Sequence, residues 1–391
     1  MQDVYIVSAA RTAIGSFGGT LSKMRANELG TISAKAAIER AGVDPEKIDG
    51  AVYGNVIPSE PREAYISRII SVNAGLPTSA HAFGVNRLCG SGAQAIVSAA
   101  QMIKLDDADI MLAGGAESMS LAPYSVKGAR SGLRMGEGVL EDWLTGALTD
   151  PFGNGGMGIT AENVAAKYGI SRERQDEFAL ESQRRCAEAI KNGNFTEQIV
   201  PVEVKSKRGS VSFEVDEHPR ETSLEKLASL RPVFKKDGTV TAGNASGMND
   251  AAASVILAGQ GAVDSNNLTP QARIVSWGFG GVPPEVMGLG PNIAVPNALK
   301  KAGLSIDDMD VIESNEAFAA QAIAVADELH FDPAKVNPNG GAISHGHPIS
   351  ATGAILTTKA LYELKRINGR YGLITMCIGG GQGIALIIER V

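Results

Sequence analysis

Apolar and polar positions along the chain alternate between two textures. Short aliphatic, β-branched runs read as strands buried on both faces: Val4-Tyr5-Ile6-Val7, Ala51-Val52-Tyr53, Ile110-Met111-Leu112, Ile274-Val275-Ser276, Val311-Ile312 and Leu373-Ile374-Thr375-Met376. Between such runs, apolar residues recur at helical spacing, as at Ala93, Ile96, Val97, Ala100 and Ile103 behind Gly92. Gly42 and Gly303 stand where left-handed helix C-caps belong. The predicted class is α/β.

The pattern also repeats. Ala37-Ile38-Glu39-Arg40-Ala41-Gly42-Val43, an acidic turn and a strand recur as Ala298-Leu299-Lys300-Lys301-Ala302-Gly303-Leu304, an acidic turn and a strand. At nearly the same interval Ile6-Val7-Ser8 recurs as Ile274-Val275-Ser276, Gly92-Ala93 as Gly353-Ala354, and Ala113-Gly114-Gly115 as Ile378-Gly379-Gly380. Four landmarks in one order predict two similar βαβαβ-type halves with stacked sheets. The first half is expected over residues 1–120, completed by 249–268, and the second over 269–391. Residues 121–248 read as an inserted loop domain, with Gly-rich turns, a charged helix around 171–192 and the basic cluster Lys205-Ser206-Lys207-Arg208-Gly209. Long insertions at loops are thermodynamically tolerable and usually functional.

Composition narrows the function. Of 391 residues, 44% are hydrophobic and 20% charged, which supports large cores; only 5% are aromatic, while glycine reaches 46, so packing relies on small and aliphatic side chains. The net charge of −7 makes a non-specific nucleic-acid binder a poor reading. No apolar run approaches the ~18–20 residues of a membrane span, and no signal peptide is recognisable at the N-terminus. Cys89, Cys186 and Cys377 are too scattered for a disulfide framework, and a cytoplasmic location is expected.

Two of these cysteines sit in chemically suggestive settings. Cys89, in Asn86-Arg87-Leu88-Cys89-Gly90-Ser91-Gly92, falls between a strand and a helix, where orphan N–H groups favour a thiolate; a small buried cysteine in a tight turn is the plainer alternative. Cys377 precedes Ile378-Gly379-Gly380-Gly381-Gln382-Gly383, a run that exposes backbone N–H groups as an anion or oxyanion site. Cys186 lies in a polar helix and reads as structural. His345 and His347 share a shaped loop, Gly340-Gly341-Ala342-Ile343-Ser344-His345-Gly346-His347-Pro348, rather than a helix, and a histidine near a cysteine serves as its base or partner. A zinc site of Cys89, His345, His347 and Cys377 lacks the short paired spacings of structural sites. Asn315, before Glu316-Ala317-Phe318, reads either as an amide at a strand's carboxyl end or as a helix N-cap.

Together these motifs resemble the thiolase family. Asn-Arg-Leu-Cys89-Gly-Ser-Gly, Asn315-Glu-Ala-Phe, Gly-His347-Pro and Cys377-x-Gly-Gly-Gly-x-Gly stand in its order and spacing, supported by Gly243-Asn-Ala-Ser246-Gly and Met157-Gly-Ile-Thr-Ala-Glu-Asn. The likeness runs from Arg11 to Gly383, and is greatest to bacterial acetyl-CoA acetyltransferases and broad-range β-ketothiolases. It implies a reversible Claisen condensation, with thiolytic cleavage of 3-ketoacyl-CoA as its reverse. Substrates would be short- to medium-chain, acetoacetyl-CoA foremost. Acyl-CoA and CoA are substrates, no cofactor or metal is implied, and a dimer or tetramer is expected.

The resemblance also implies roles. Cys89 is the nucleophile that carries the acyl group, His347 activates it, and Cys377 moves the α-proton. Asn315 and His347 stabilise the enolate oxygen, Asn315 through a water, and the N–H groups of Cys89 and Gly379 hold the oxyanion. Arg220 matches an adenine contact, Ala242 and Ser246 pantetheine contacts, and Met157, Met287 and Phe318 the thioester lining. Three departures stand out: Gly156 where many members have histidine, Ser314 before Asn315, and Ser350 where glycine is usual, which strains the chain if φ must be positive. A decarboxylating condensing enzyme of the same superfamily lacks the second cysteine, and a non-catalytic acyl-CoA binder needs neither. Two converging thiols are also expected to be open to an inactivating disulfide.

Overall fold

The computed structural model describes residues 2–206 and 209–391, so the basic cluster expected at 205–209 lies partly outside the described residues. Nine strands carry the architecture: β1 Val4–Thr12, β2 Gly50–Gly54, β3 His81–Val85, β4 Ile110–Ser118, β5 Asn249–Gly259, β6 Ala272–Gly281, β7 Val311–Ser314, β8 Tyr371–Ile378 and β9 Gln382–Arg390. They line up in the order β7-β8-β9-β6-β1-β5-β4-β2-β3. The middle link is slight: β6 meets β1 at two residue pairs, Tyr5 with Arg273 and Ile6 with Ala272.

On either side of that link the pairing rules are the same. β2 runs parallel to β4, and β7 parallel to β8. β4 is antiparallel to β5, and β8 to β9. β5 is antiparallel to β1, and β9 to β6. Even the irregularity recurs: register slips between Ile6 and Ser8 in one half and between Ile274 and Ser276 in the other. These are the residues of the Ile-Val-Ser repeat, so a local bulge is encoded twice.

Seven helices matter for the site: α1 Ala26–Ala41, α2 Ser91–Lys104, α3 Met157–Tyr168, α4 Arg172–Lys191, α5 Pro291–Ala302, α6 Ala319–Glu328 and α7 Thr352–Ile367. Gly42 and Gly303 end α1 and α5 in left-handed caps, at φ 64° and 68°. One core cluster joins one face of each half-sheet, through Leu257 and Val255 on one side and Ile374 and Leu386 on the other, to α2 and α7 lying between them. The opposite face of the first half packs on α1, and that of the second on α5 and α6. Strands buried on both faces explain the continuous apolar runs.

The two central helices touch at their N-termini. A Cβ on Gly353 would stand 2.2 Å from the Ala93 amide nitrogen, and one on Gly92 2.8 Å from the Ala354 amide nitrogen. The repeated Gly-Ala pair is thus reciprocal close packing, and it brings the segments after Cys89 and His347 together. The region 121–248 holds α3, α4 and a hairpin of Val202–Ser206 with Gly209–Phe213. It also supplies Ile199–Val200, which pairs with Arg11 and Thr12 of β1, so it is stitched into a half-sheet rather than hung from it.

Candidate active site

Cys89 is presented by a tight, stapled turn. Asn86 Oδ1 accepts the Leu88 N–H at 3.1 Å, and Leu88 takes φ 47°, a left-handed conformation that costs a non-glycine residue about 1–2 kcal/mol. Ser91 Oγ accepts the Arg87 N–H at 2.8 Å and donates to the Leu88 carbonyl at 2.7 Å. Cys89 then lies in the helical turn Leu88–Gly90 that leads into α2. Around it packs an aliphatic cluster of Val56, Ile57, Met119, Leu144, Leu148 and Ile349.

The N–H groups of Gly379 and of Cys89 itself lie toward the Cys89 sulfur and favour its charged form. The helix N-terminus was expected to favour a thiolate, and the structure overturns this. Burial outweighs those donors and pushes the thiol up to about 11, with Glu117 adding to the rise. The Cys89 thiol is therefore neutral at rest.

Cys377 is the penultimate residue of β8 and is fully buried. Burial raises its thiol well above the ordinary range, and the neighbouring Cys89 raises it further. Both are free thiols. After Ile378 the chain turns through Gly380 and Gly381 at φ 81° and 87°, left-handed values that suit glycine and leave the Gly379 N–H turned toward Cys89.

His347 is held at three points. Its N–H donates to Asn249 Oδ1 at 2.9 Å, its Nδ1 lies 2.6 Å from Thr352 Oγ1, and its Nε2 lies 3.5 Å from Asn315 Nδ2. An amide N–H facing Nε2 leaves that nitrogen bare, so the proton sits on Nδ1 and donates to Thr352. Burial lowers the imidazole to about 4, so it is neutral at pH 7 and ready to take a proton. Asn315 follows β7, anchored by its N–H to the Thr375 carbonyl at 3.0 Å, and its Oδ1 has no partner within the protein. It is not a helix N-cap: α6 starts four residues later, behind Phe318.

His345, expected in the same loop, ends a short helical turn, Ala342–His345, and faces Cys186 and Asp216 instead. The four-residue zinc reading therefore fails on geometry, and among the described residues no group of three or more His, Cys, Asp or Glu could hold a metal ion. Ser350 takes no positive φ and is unstrained; its hydroxyl donates to the Ala116 carbonyl at 2.9 Å.

Sequence reasoning missed Thr352, Asn249 and Glu117. Glu117, fully buried at the end of β4, accepts N–H groups from Val56, Ile57 and Ser350 at 3.0–3.3 Å, tying both active-site loops to one carboxylate that burial raises to about 7. The available signal was a lone acid ending an otherwise apolar strand.

Met157, Met287 and Phe318 gather in one apolar cluster with Cys377, as expected of a thioester lining. Ser246 adjoins it, its N–H donating to the Ala317 carbonyl at 3.0 Å, and Ala242 lies exposed on the same loop. Arg220 is exposed, with its N–H on Gln183 Oε1 and its charge near His218. At Gly156 a Cβ would meet nothing closer than 3.8 Å, so a side chain fits there.

The thiolase N-terminal domain model matches residues 4–261, and the thiolase C-terminal domain model residues 268–390. The chain belongs to the thiolase family. This thiolase is 56% identical to the beta-ketothiolase BktB of Cupriavidus necator over the full length of both chains. It is 49% identical to a mitochondrial 3-ketoacyl-CoA thiolase of Rattus norvegicus, over 100% of this chain and 99% of the relative. Among solved structures, human mitochondrial 3-ketoacyl-CoA thiolase superposes with a TM-score of 0.98 at 47% identity, covering 100% of this chain and 99% of that one. The same human enzyme in complex with CoA gives 0.97, over 100% and 98%.

Proposed function

We propose that this thiolase is an acyl-CoA C-acyltransferase that works through an acyl-Cys89 intermediate, joining acetyl-CoA to an acyl-CoA or cleaving a 3-ketoacyl-CoA with CoA. The observation that carries the reading is the turn of Cys89 seated against the end of β8, where a Cβ on Gly90 would stand 2.5 Å from Cδ1 of Ile378, the residue after Cys377. In the first half-reaction the Cys89 proton passes to the bare Nε2 of His347, and the sulfur attacks the thioester carbonyl. The oxygen's developing charge meets the N–H groups of Cys89 and Gly379, donors worth about 3–4 kcal/mol each in such sites. The CoA thiolate leaves with the proton from His347.

In the second half-reaction the Cys377 thiol first gives its proton to His347 Nε2. The thiolate then takes the α-proton of acetyl-CoA, the enolate carbon attacks the acyl group on Cys89, and the departing Cys89 thiolate recovers the proton held by His347. His347, carrying that proton on Nε2, and Asn315 through a water stabilise the enolate oxygen. Splitting the reaction this way gives ping-pong kinetics. Short- to medium-chain acyl groups are favoured, acetoacetyl-CoA foremost, because the cluster around Cys89 is aliphatic and bounded by Leu144 and Ile349. CoA and acyl-CoA enter as substrates, with no cofactor. Incubation with acetyl-CoA alone adds one acetyl mass to Cys89, and Cys89→Ser abolishes both the adduct and CoA-dependent acetoacetyl-CoA cleavage. A wild-type enzyme that forms no adduct on rapid quench refutes the reading.

A homo-oligomer is part of the same proposal. Among the described residues β3 pairs on one edge only and is largely exposed, and Leu133, Met135, Val139 and Leu140 are exposed as well. Light scattering that returns a monomer mass sinks it. Three free cysteines fit a reducing cytoplasm.

A further inference from the structure

Two residues before His347 lies a second buried histidine that the reaction does not use. We propose that His345 is a positioning residue for His347, acting through a buried cluster of Cys186, Asp216 and Arg11 that locks the catalytic loop onto the rest of the chain. The inference rests on the acyl-enzyme reading above, because its effect is read on Cys89.

The cluster draws on all three parts of the molecule. Arg11 comes from β1, Cys186 from α4, Asp216 from the segment beyond the hairpin, and His345 from the second half. All four are buried. Arg11 grips Asp216 with two N–H donors, at 2.8 and 3.0 Å, and the Ile14 N–H adds a third at 2.8 Å. His345 Nε2 lies 2.8 Å from the Asn339 carbonyl, an acceptor only, so Nε2 carries the proton and Nδ1 is bare. Toward that bare nitrogen the Cys186 thiol stands at 3.7 Å as donor; Asp216 Oδ2, 3.4 Å away, takes no hydrogen bond from the neutral ring and is fixed beside it by Arg11 and the Ile14 N–H. Phe195 meets the imidazole edge-on with ring centres 5.0 Å apart. Lys359 is the other charge bearing on the ring, besides Arg11 and Asp216.

Between this anchored ring and the catalytic one is a single residue, and it has no room to relax. Gly346 takes φ 100°, and a Cβ there would stand 2.2 Å from Asn249 Cγ. Asn249 also accepts the His347 N–H. A shift of His345 is therefore passed to His347 rather than absorbed, and the fit of Nε2 to Asn315 depends on it. Misplacement of about 1 Å in such a site costs up to ~10²-fold in rate.

The test is the rate of Cys89 acetylation by acetyl-CoA, followed by quench and mass measurement, with KM read separately. His345→Leu keeps the bulk and removes both ring nitrogens. It is expected to slow acetylation by about tenfold or more with KM unchanged. His345→Gln restores an N–H toward the Asn339 carbonyl and recovers much of the rate. Cys186→Ala, which leaves the loop sequence intact, slows it less but in the same direction. Should His345→Leu fail to fold, the Gln and Cys186 variants carry the test. A folded His345→Leu enzyme with a lowered melting temperature but wild-type acetylation rate overturns the proposal, as does a loss of rate that His345→Gln does not recover. A wild-type enzyme that forms no adduct refutes the acyl-enzyme reading instead, and with it the basis of this one.

Discussion

Thr352→Val removes one hydroxyl and nearly preserves shape. In the native enzyme that oxygen lies 2.6 Å from Nδ1 of His347, and both residues are buried. Without it the ring has two options. It keeps the proton on Nδ1, unpaired in a dry site, at a cost of about 1–3 kcal/mol. Otherwise it moves the proton to Nε2, which then cannot accept one from Cys89. Either way the reactive tautomer is disfavoured by that amount, and at ~1.36 kcal/mol per decade the acetylation rate falls about 5- to 150-fold. The assay is single-turnover acetylation of Cys89 by acetyl-CoA, resolved by quench and mass measurement. KM is expected to hold, because the hydroxyl touches the base and not the ligand. Thr352→Ser, which keeps an oxygen on Cβ, retains most of the rate. A Val variant that acetylates within about twofold of wild type refutes the tautomer argument.

The thiol of Cys89, raised to about 11, is expected to show iodoacetamide alkylation that climbs roughly tenfold per pH unit through pH 9, while a plateau below pH 8 contradicts burial as the controlling influence. His347, lowered to about 4, gains its proton only as pH falls through that value, so the acid limb of single-turnover acetylation lies near pH 4; a limb centred near the ordinary imidazole value of 6.5 argues against it. Lys359→Met leaves Glu313 buried without its ammonium, 2.8 Å away in the native structure, and is expected to destabilise by about 3–5 kcal/mol, whereas adding Glu313→Leu restores much of the melting temperature; equal melting temperatures for the single and double variants oppose the pairing. Gly353→Ala drives a methyl group onto the Ala93 backbone and is expected to prevent folding, while Gly303→Ala, with open space but φ 68°, costs only about 1–2 kcal/mol by thermal unfolding; similar effects at the two sites tell against the close-packed helix contact.

Much of the architecture was legible along the chain because it is written in local terms. Strands buried on both faces show as unbroken apolar runs, and helix ends show as glycines that adopt left-handed caps. The Ile-Val-Ser repeat even marked where each half-sheet slips register. What local pattern cannot carry is the balance between competing effects at one atom. The position of Cys89 before a helix suggested a thiolate, but the cluster of Val56, Ile57, Leu144 and Ile349 comes from distant segments, and its desolvation wins. Likewise the motif singled out His347 of the two histidines in one loop, but only tertiary packing sent His345 toward Cys186 and Asp216 and set His347 on Thr352 and Asn315.

The division between the two follows from range. Residue type and spacing by themselves determined the repeat and the α/β class and marked Cys89, Cys377 and the paired histidines as candidates, since backbone periodicity and side-chain chemistry are properties of a few neighbouring residues. Only the folded molecule decided protonation, tautomer and aim. Those depend on solvent exclusion and on hydrogen-bond partners drawn from both halves and the inserted region, which meet where α2 and α7 press their glycines together.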